Sequence, residues 1–158
     1  MGERSPAKAG VQCAATAAPY GAPGPRPSPG NIVRFAGYAA IFDRPDSGGD
    51  IIRKGAFAEA LKRASEVPLL WQHKAGRVLG RIEHLSEDKR GLRVIARVDD
   101  PRARSLLASG KLDGLSFGYR VREARSGAHR ELIDLDLVEV SLVAKPMQRL
   151  ARVHAVEG

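Results

Sequence analysis

The stretch Gly91–Val98 (GLRVIARV) decides the class of fold. From position 92 to position 98, apolar residues at even positions (Leu, Val, Ala, Val) alternate with Arg, Ile and Arg at odd positions. Because successive side chains of a β-strand point to opposite faces, this alternation predicts a strand with one face in a core. Similar stretches separated by polar turns predict further strands at 32–42, 67–73, 78–85, 112–122 and 130–144.

Two short helices are predicted between these strands. Gly55–Ala64 places Phe57 and Leu61 at helical spacing. Asp100 and Pro101 form a helix start, with the carboxylate as N-cap and the proline in the first turn. Many short strands with a few short helices predict a mainly β fold, in the form of a closed or nearly closed β-barrel.

Composition divides the chain into two parts. Residues 1–30 contain six of the ten prolines among alanine, glycine and serine, so we predict a disordered N-terminal arm. Residues 31–158 form the predicted folded domain, which is long enough for one core. The chain has a formal net charge of +8, and without the arm 23 basic residues remain against 17 acidic ones, or +6. The basic excess therefore belongs to the domain and allows an acidic partner.

Composition also argues against several classes of protein. The single cysteine, Cys13, rules out an intramolecular disulfide framework and a thiolate zinc site. No apolar run approaches the length of a membrane-spanning helix, and we expect no secretory signal and a cytoplasmic location. The histidines lack metal-ligand spacing, so we expect no metal and no cofactor. They lie at positions 73, 84, 129 and 154.

Three polar residues interrupt apolar strand patterns. His73 ends the apolar row of the predicted 67–73 strand. Ser116 lies between Gly114 and Gly118 on one strand face, where the bare positions would let an extended peptide approach the hydroxyl. Glu139 lies in an almost wholly apolar strand, and a buried carboxylate needs a cation or hydrogen-bond donors. The structural alternatives are a histidine at the rim of a core, an incidental serine in a bulged strand, and an ion pair of the glutamate with an arginine.

Together these residues supply the groups needed for nucleophilic catalysis. A serine hydroxyl is a weak nucleophile until a base removes its proton, and a histidine with a pKa of about 6.5 does so near neutral pH. A carboxylate fixes the tautomer of the imidazole and stabilises the imidazolium. Residue types alone are not specific, because most soluble proteins contain them.

The same residues lie in short motifs that resemble those of the prohead proteases of tailed bacteriophages. That family comprises capsid maturation serine proteases that are distantly similar to herpesvirus assemblin. The resemblance spans roughly residues 32–152. In chain order the matching pieces are Gly37-Tyr38-Ala39, Gly55-Ala56-Phe57, Leu69–His73, Gly80-Arg81-Ile82, Gly91-Leu92, Gly114–Tyr119, Glu139–Val143 and Pro146.

The resemblance implies a herpesvirus-protease-like fold and a role for each of the three polar residues. Ser116 matches the nucleophile, His73 the general base, and Glu139 the third member, where assemblin relatives use a second histidine. The turn with Lys145 and Met147 corresponds to the region expected to help form the oxyanion hole. Its proline has no amide hydrogen to donate. The sequence after that proline departs from the small residues and asparagine usual in the family.

The resemblance also implies a substrate and a place of action. It implies a serine endopeptidase that cleaves scaffold, or the scaffold-like N-terminal region of the major capsid protein, inside the immature capsid in the host cytoplasm. Such proteases often cleave themselves, and the arm up to Gly30 is a candidate self-cleavage region. Assemblin relatives dimerise, which allows a homodimer here. We expect the 130–144 strand to be the last one, with no long scaffold segment after it.

Two other functions stay open at this point. A basic face could bind nucleic acid or an acidic scaffold without catalysis, although few aromatic residues and no nucleic-acid motif support that as the primary role. An inactive relative retained for assembly is the second alternative. The residues that would form the basic face are Arg77, Arg81, Lys89, Arg90, Arg93 and Arg97.

Overall fold

The computed structural model describes residues 33–63 and 66–157. Its elements are β1 (Val33–Ile41), β2 (Asp50–Ile52), α1 (Ala58–Arg63), β3 (Pro68–Trp71), β4 (Lys74–Glu87), β5 (Gly91–Val98), α2 (Pro101–Ala108), β6 (Gly114–Arg125), β7 (Arg130–Val143) and β8 (Val153–Glu157). The prediction of a mainly β fold with short helices is confirmed. The arm predicted for residues 1–30 lies outside the described residues.

The sheet is organised around β7. β6 pairs antiparallel with β7 along most of its length. On the other side of β7, β2 and β3 pair with it in parallel, β2 beside residues 130–132 and β3 beside residues 140–142. The sheet then continues from β3 through β4, β5 and β1 to β8. The end of β7 is therefore flanked by β6 on one side and β3 on the other.

The described sheet is not closed, so the predicted β-barrel is not confirmed. β6 and the segment before β8 approach each other at an isolated bridge between Gly114 and Arg152. Beside it, the amide of Leu115 donates to the carbonyl of Ala151. β8 itself is five residues long and pairs with β1, so it forms no continuous ladder with the rest of β6.

The alternation of Gly91–Val98 is observed in β5. Its even-numbered residues from Leu92 to Val98 are fully buried, whereas its odd-numbered residues between them are half-buried. The buried side packs in a core that includes Phe57 and Phe117, whose rings meet edge to face with centroids 5.2 Å apart. This core holds β5 and β6 in one unit.

The second helix begins as predicted. The Asp100 carboxylate accepts a hydrogen bond of 2.9 Å from the amide of Ala103, and Pro101 is the first helical residue. The helix ends at Ala108, shortly before Gly110, whose φ of 75° suits glycine. Among the described residues, neither helix has the length and apolar character needed to cross a bilayer.

Two strands were not predicted. β2 has three residues, which is too short for a recognisable alternation. β8 has no buried residue, so its sequence shows no apolar face. Because β8 follows β7, the expectation that the 130–144 strand is the last one is wrong.

Candidate active site

His73 lies in the turn between β3 and β4, not on a strand as predicted. β3 ends at Trp71, and the two residues before β4 have positive φ, 46° at Gln72 and 63° at His73. Two consecutive positive φ values are typical of a type I′ hairpin turn, which normally takes asparagine or glycine. The left-handed region costs about 1–2 kcal/mol for other residues. Contacts with the rest of the protein must therefore hold His73 in this conformation.

The end of β7 supplies those contacts. The amide of Gln72 donates to the carbonyl of Leu142 at 3.0 Å. The side-chain oxygen of Gln72 accepts from the amide of Ala144 at 3.0 Å. The amide of His73 donates to the hydroxyl of Ser141, also at 3.0 Å. Three hydrogen bonds thus fix the turn to the end of β7 and to Ala144 just after it, about seventy residues away in sequence.

Glu139 is a buried carboxylate that makes two short hydrogen bonds. Its side chain is 3% exposed. His73 Nδ1 lies 2.5 Å from Glu139 Oε2, and the hydroxyl of Ser141 donates to Oε1 at 2.6 Å. No arginine of residues 33–63 and 66–157 forms an ion pair with Glu139. The alternative of a structural ion pair between this glutamate and an arginine is therefore not observed. The imidazole, which is 19% exposed, takes that place.

This contact determines which nitrogen of His73 can act as a base. An ionised carboxylate only accepts hydrogen bonds, so Nδ1 must carry the proton in the contact with Glu139. In the neutral ring, Nε2 is then left with a free lone pair. The arrangement therefore prepares Nε2 of His73 to accept a proton.

Gly118 makes room for the carboxylate. It lies opposite Glu139 in the β6–β7 pair. A Cβ atom at this position would lie 2.5 Å from Glu139 Oε2 and 3.1 Å from its Cδ. Gly114 is similarly covered, since its Cβ would lie 2.6 Å from the carbonyl oxygen of Val143 and 2.8 Å from Cδ of Pro146. Both glycines therefore contact the chain's own atoms, and a role in binding substrate stays a prediction.

Ser116 lies on the same face of the sheet as this pair. It is directly opposite Ser141 across the β6–β7 ladder, and directly opposite residues project to the same side. Ser116 is 5% exposed, and its hydroxyl makes no hydrogen bond to another described residue. The structure thus brings His73 and Glu139 into contact and places Ser116 beside them without a serine–histidine hydrogen bond. Such bonds are often long in resting enzymes and tighten when substrate binds.

A small cavity lies next to Ser116. Asp46, Tyr119 and Met147 contribute to its wall. Burial raises the pKa of Asp46, and backbone amide donors oppose that shift. Burial also raises the pKa of Tyr119, with the carboxylates of Asp50 and Asp46 adding to the effect. The phenol of Tyr119 therefore stays protonated throughout the neutral range.

The predicted oxyanion region forms the loop after β7. Lys145 is exposed and Met147 is 40% exposed. The amides of these two residues donate to no other residue in the described ranges, so their part in an oxyanion hole stays a prediction. The loop is held by buried Gln148, whose amide group donates to the carbonyl of Ile41 and accepts from its amide, each at 2.8 Å. Gln148 therefore fastens the loop to β1.

Other charged residues have partners apart from His73 and Glu139. Asp134 and Asp136 pair with Arg122 at 3.6 and 3.3 Å. Arg81 lies directly opposite Arg97 in the β4–β5 ladder, which gives part of the predicted basic face. Arg77 and Arg90 lie over the rings of Trp71 and Tyr38, respectively. Within the described part of the chain, no cluster of histidine, cysteine or acidic side chains could hold a metal.

The contribution of Ser141 was not predicted from the sequence. Ser141 lies on the same strand face as Glu139, two residues further along β7. A serine two residues from a buried acid on one strand was the available signal, because side chains at that spacing are neighbours.

The chain is similar to capsid proteases and scaffolding proteins of viruses. The family model described as caudovirus prohead serine protease matches residues 26–158. The prohead protease of Enterobacteria phage HK97 is 33% identical over 94 residues, covering 55% of this chain and 42% of that protein. The capsid scaffolding protein of equine herpesvirus 1 (strain Ab4p) is 31% identical over 100 residues, covering 63% of this chain and 15% of that protein. The chain therefore spans less than half the length of these two relatives.

Solved structures of viral proteases share the fold. Varicella-zoster virus protease aligns with a TM-score of 0.56 at 17% identity, covering 80% of this chain and 64% of that chain. The bacteriophage T4 capsid assembly protease aligns with a TM-score of 0.59 at 13% identity, covering 70% and 80%. The predicted similarity to the herpesvirus protease fold is confirmed. Since the family model covers most of its length, the chain belongs to the caudovirus prohead serine protease family.

Proposed function

We propose that this protein is a serine endopeptidase of prohead maturation, with Ser116 as nucleophile, His73 as general base and Glu139 as the third member of the triad. The observation that carries the proposal is the 2.5 Å contact between His73 Nδ1 and Glu139 Oε2 on the sheet face that bears Ser116. A buried carboxylate on a histidine in a strained turn, next to a hydroxyl, is the arrangement that nucleophilic catalysis needs.

The proposed reaction follows from the roles of these groups. Ser116 Oγ attacks the carbonyl carbon of the scissile peptide bond while Nε2 of His73 takes its proton. The imidazolium then gives that proton to the leaving amine, and an acyl-enzyme remains. Water, activated by the same nitrogen, releases the acyl group and regenerates Ser116. Glu139 fixes the tautomer of the ring and stabilises its charged form.

We place the substrate along β6 and the oxyanion hole in the loop after β7. An extended peptide beside Gly114 and Gly118 would bring its carbonyl group to Ser116. The amides of Lys145 and Met147 make no hydrogen bond to other described residues, so they can donate to the developing oxyanion. Pro146 between them has no amide hydrogen, which limits the donors to its neighbours.

The proposed substrate is scaffold or the scaffold-like N-terminal region of the major capsid protein, cleaved inside the immature capsid in the host. Membership of the prohead protease family and the similarity to a capsid scaffolding protein support this choice. Cleavage of its own arm near Gly30 and assembly as a homodimer are further parts of the proposal. An intact N-terminus after long incubation of active enzyme, measured by mass spectrometry, would remove the self-cleavage part.

The proposal is tested by mixing the purified protein with its proposed substrate, the major capsid protein or the scaffold protein. We expect N-terminal trimming of the substrate that disappears in Ser116→Ala and His73→Ala and is reduced less completely in Glu139→Gln. Ser109→Ala is the matched control, because this exposed serine at the end of α2 donates only to a backbone carbonyl. Trimming that persists in Ser116→Ala would reject the nucleophile. Tight DNA binding without any proteolysis would favour the basic binding module instead.

A further inference from the structure

The side chain of Ser141 connects the two members of the His73–Glu139 pair. Its hydroxyl donates to Glu139 Oε1 at 2.6 Å and accepts from the backbone amide of His73 at 3.0 Å. The residue is fully buried. One hydroxyl therefore touches both the carboxylate that orients the imidazole and the backbone that carries it.

Each of these hydrogen bonds constrains the site in a different way. With Oε1 bound to Ser141, the carboxylate is held so that Oε2 faces Nδ1 of His73. With its amide bound to Ser141, His73 is held at a φ of 63°, a conformation that is unfavourable for histidine. A hydroxyl can satisfy both, because it has one proton to donate and lone pairs to accept with.

We propose that Ser141 is a positioning residue that sets the geometry of the His73–Glu139 pair. The inference rests on the proposed function, since it assigns Ser141 to the same reaction. Ser141 contacts the orienting carboxylate and the histidine backbone, while Ser116 and Nε2 of His73 carry out the chemistry. Its effect therefore reaches the nucleophile only through the ring of His73.

The strand pairing of Ser141 does not depend on its hydroxyl. Ser141 is held in the sheet by backbone pairing with Ser116 on one side and Leu70 on the other. Alanine at this position keeps that pairing and leaves no large cavity. We therefore expect Ser141→Ala to fold, while Glu139 Oε1 and the amide of His73 lose their partner.

The test measures how fast Ser116 reacts with a small probe, so that the substrate need not be known. The probe is an alkyl fluorophosphonate. The oxygen of Ser116 forms a bond to phosphorus, fluoride leaves, and the hydroxyl proton passes to His73. Labelling is followed by intact mass and located by peptide mapping. We expect Ser141→Ala to label about 10- to 100-fold more slowly than wild type, because small misplacements of catalytic groups cost rate factors of this size.

Two further variants separate positioning from a merely structural role. Ser141→Thr restores the hydroxyl and should recover most of the labelling rate. The slowing caused by Ser141→Ala should shrink when Glu139→Gln is already present, because residues that act through one another give non-additive effects. Ser109→Ala should label at the wild-type rate.

The outcomes distinguish this inference from the proposed function. A wild-type protein that is not labelled at Ser116 would overturn the proposed function and this inference with it. If wild type is labelled at Ser116 and Ser141→Ala labels equally fast, only the positioning role is overturned. The same holds if the slowing in Ser141→Ala is undiminished in the Glu139→Gln background.

Discussion

Replacing Gly118 with alanine tests whether the site needs the carboxylate of Glu139 where the structure has it. The added Cβ would lie 2.5 Å from Oε2, whereas ordinary contacts begin at 3.4 Å. The carboxylate would have to move by about 0.9 Å, the difference between these two distances. Glu139 is buried and hydrogen-bonded to His73 and Ser141, so its carboxylate cannot move without disturbing these two hydrogen bonds.

The size of the shift decides the expected result. A displacement of this size exceeds the spread of N–H···O distances in proteins, about 2.7–3.2 Å, so the carboxylate cannot keep its 2.5 Å contact with Nδ1. Loss of the orienting acid of a triad lowers the rate by up to about 10⁴-fold in well-studied proteases. We expect Gly118→Ala to slow fluorophosphonate labelling of Ser116 by about 100-fold or more, in line with the cost of misplaced catalytic groups. Overpacking should lower the free energy of unfolding by about 1–3 kcal/mol.

Gly76→Ala is the matched control for this experiment. A Cβ at Gly76 in β4 would have no neighbour within 4 Å, so the same chemical change creates no clash there. Labelling rates are compared at a temperature where thermal melting shows every variant to be folded. If the labelling rate of Gly118→Ala lies within about threefold of that of Gly76→Ala, a difference of less than about 1 kcal/mol, the proposed position of the acid is refuted.

Three further predictions concern stability, pH and metals. Gln148→Ala leaves the amide and carbonyl of buried Ile41 without partners, so the free energy of unfolding measured with urea should fall by about 2–4 kcal/mol; an unchanged midpoint would contradict this. Burial raises the pKa of Tyr119 in the folded state. Above a pH of about 10 the unfolded chain therefore loses the phenol proton while the folded protein keeps it, so the free energy of unfolding should fall as the pH rises. The melting temperature of Tyr119→Phe should fall less steeply between pH 9.5 and 11, and parallel curves would show that Tyr119 is not responsible. Labelling and cleavage should survive EDTA, and activity that is lost on chelation and restored by a divalent cation would reveal a metal.

The strands that bury one face could be predicted from the sequence. Gly91–Val98 has a regular alternation, and the structure buries the side that the pattern indicated. Glu139 was also recognisable, because a carboxylate in an apolar strand is costly unless a partner lies nearby. These features are local, so the sequence around each residue contains the relevant physics.

The features that failed depend on distant contacts. His73 was placed on a strand because Gln72 and His73 carry no turn signal, and both are held in a left-handed conformation by hydrogen bonds to β7. β8 has no buried face of its own and pairs only at the edge of β1. Whether the sheet closes also depends on where β8 lies, and the alternation of residues in a sequence does not indicate this. The contact between Ser141 and Glu139 was also not predicted, but it is local, because the two side chains are two residues apart on one strand face.

The central place of β7 has a consequence for when the proposed site forms during translation. A nascent chain that has emerged as far as Val121 already contains Ser116 and His73, yet β7, the strand that aligns them, has not been made. Pairing of Leu70 with Ser141 must then bring together residues far apart in sequence, which is a slow kind of contact to form. The proposed triad is therefore not assembled, and the chain should have no hydrolytic power, until β7 docks.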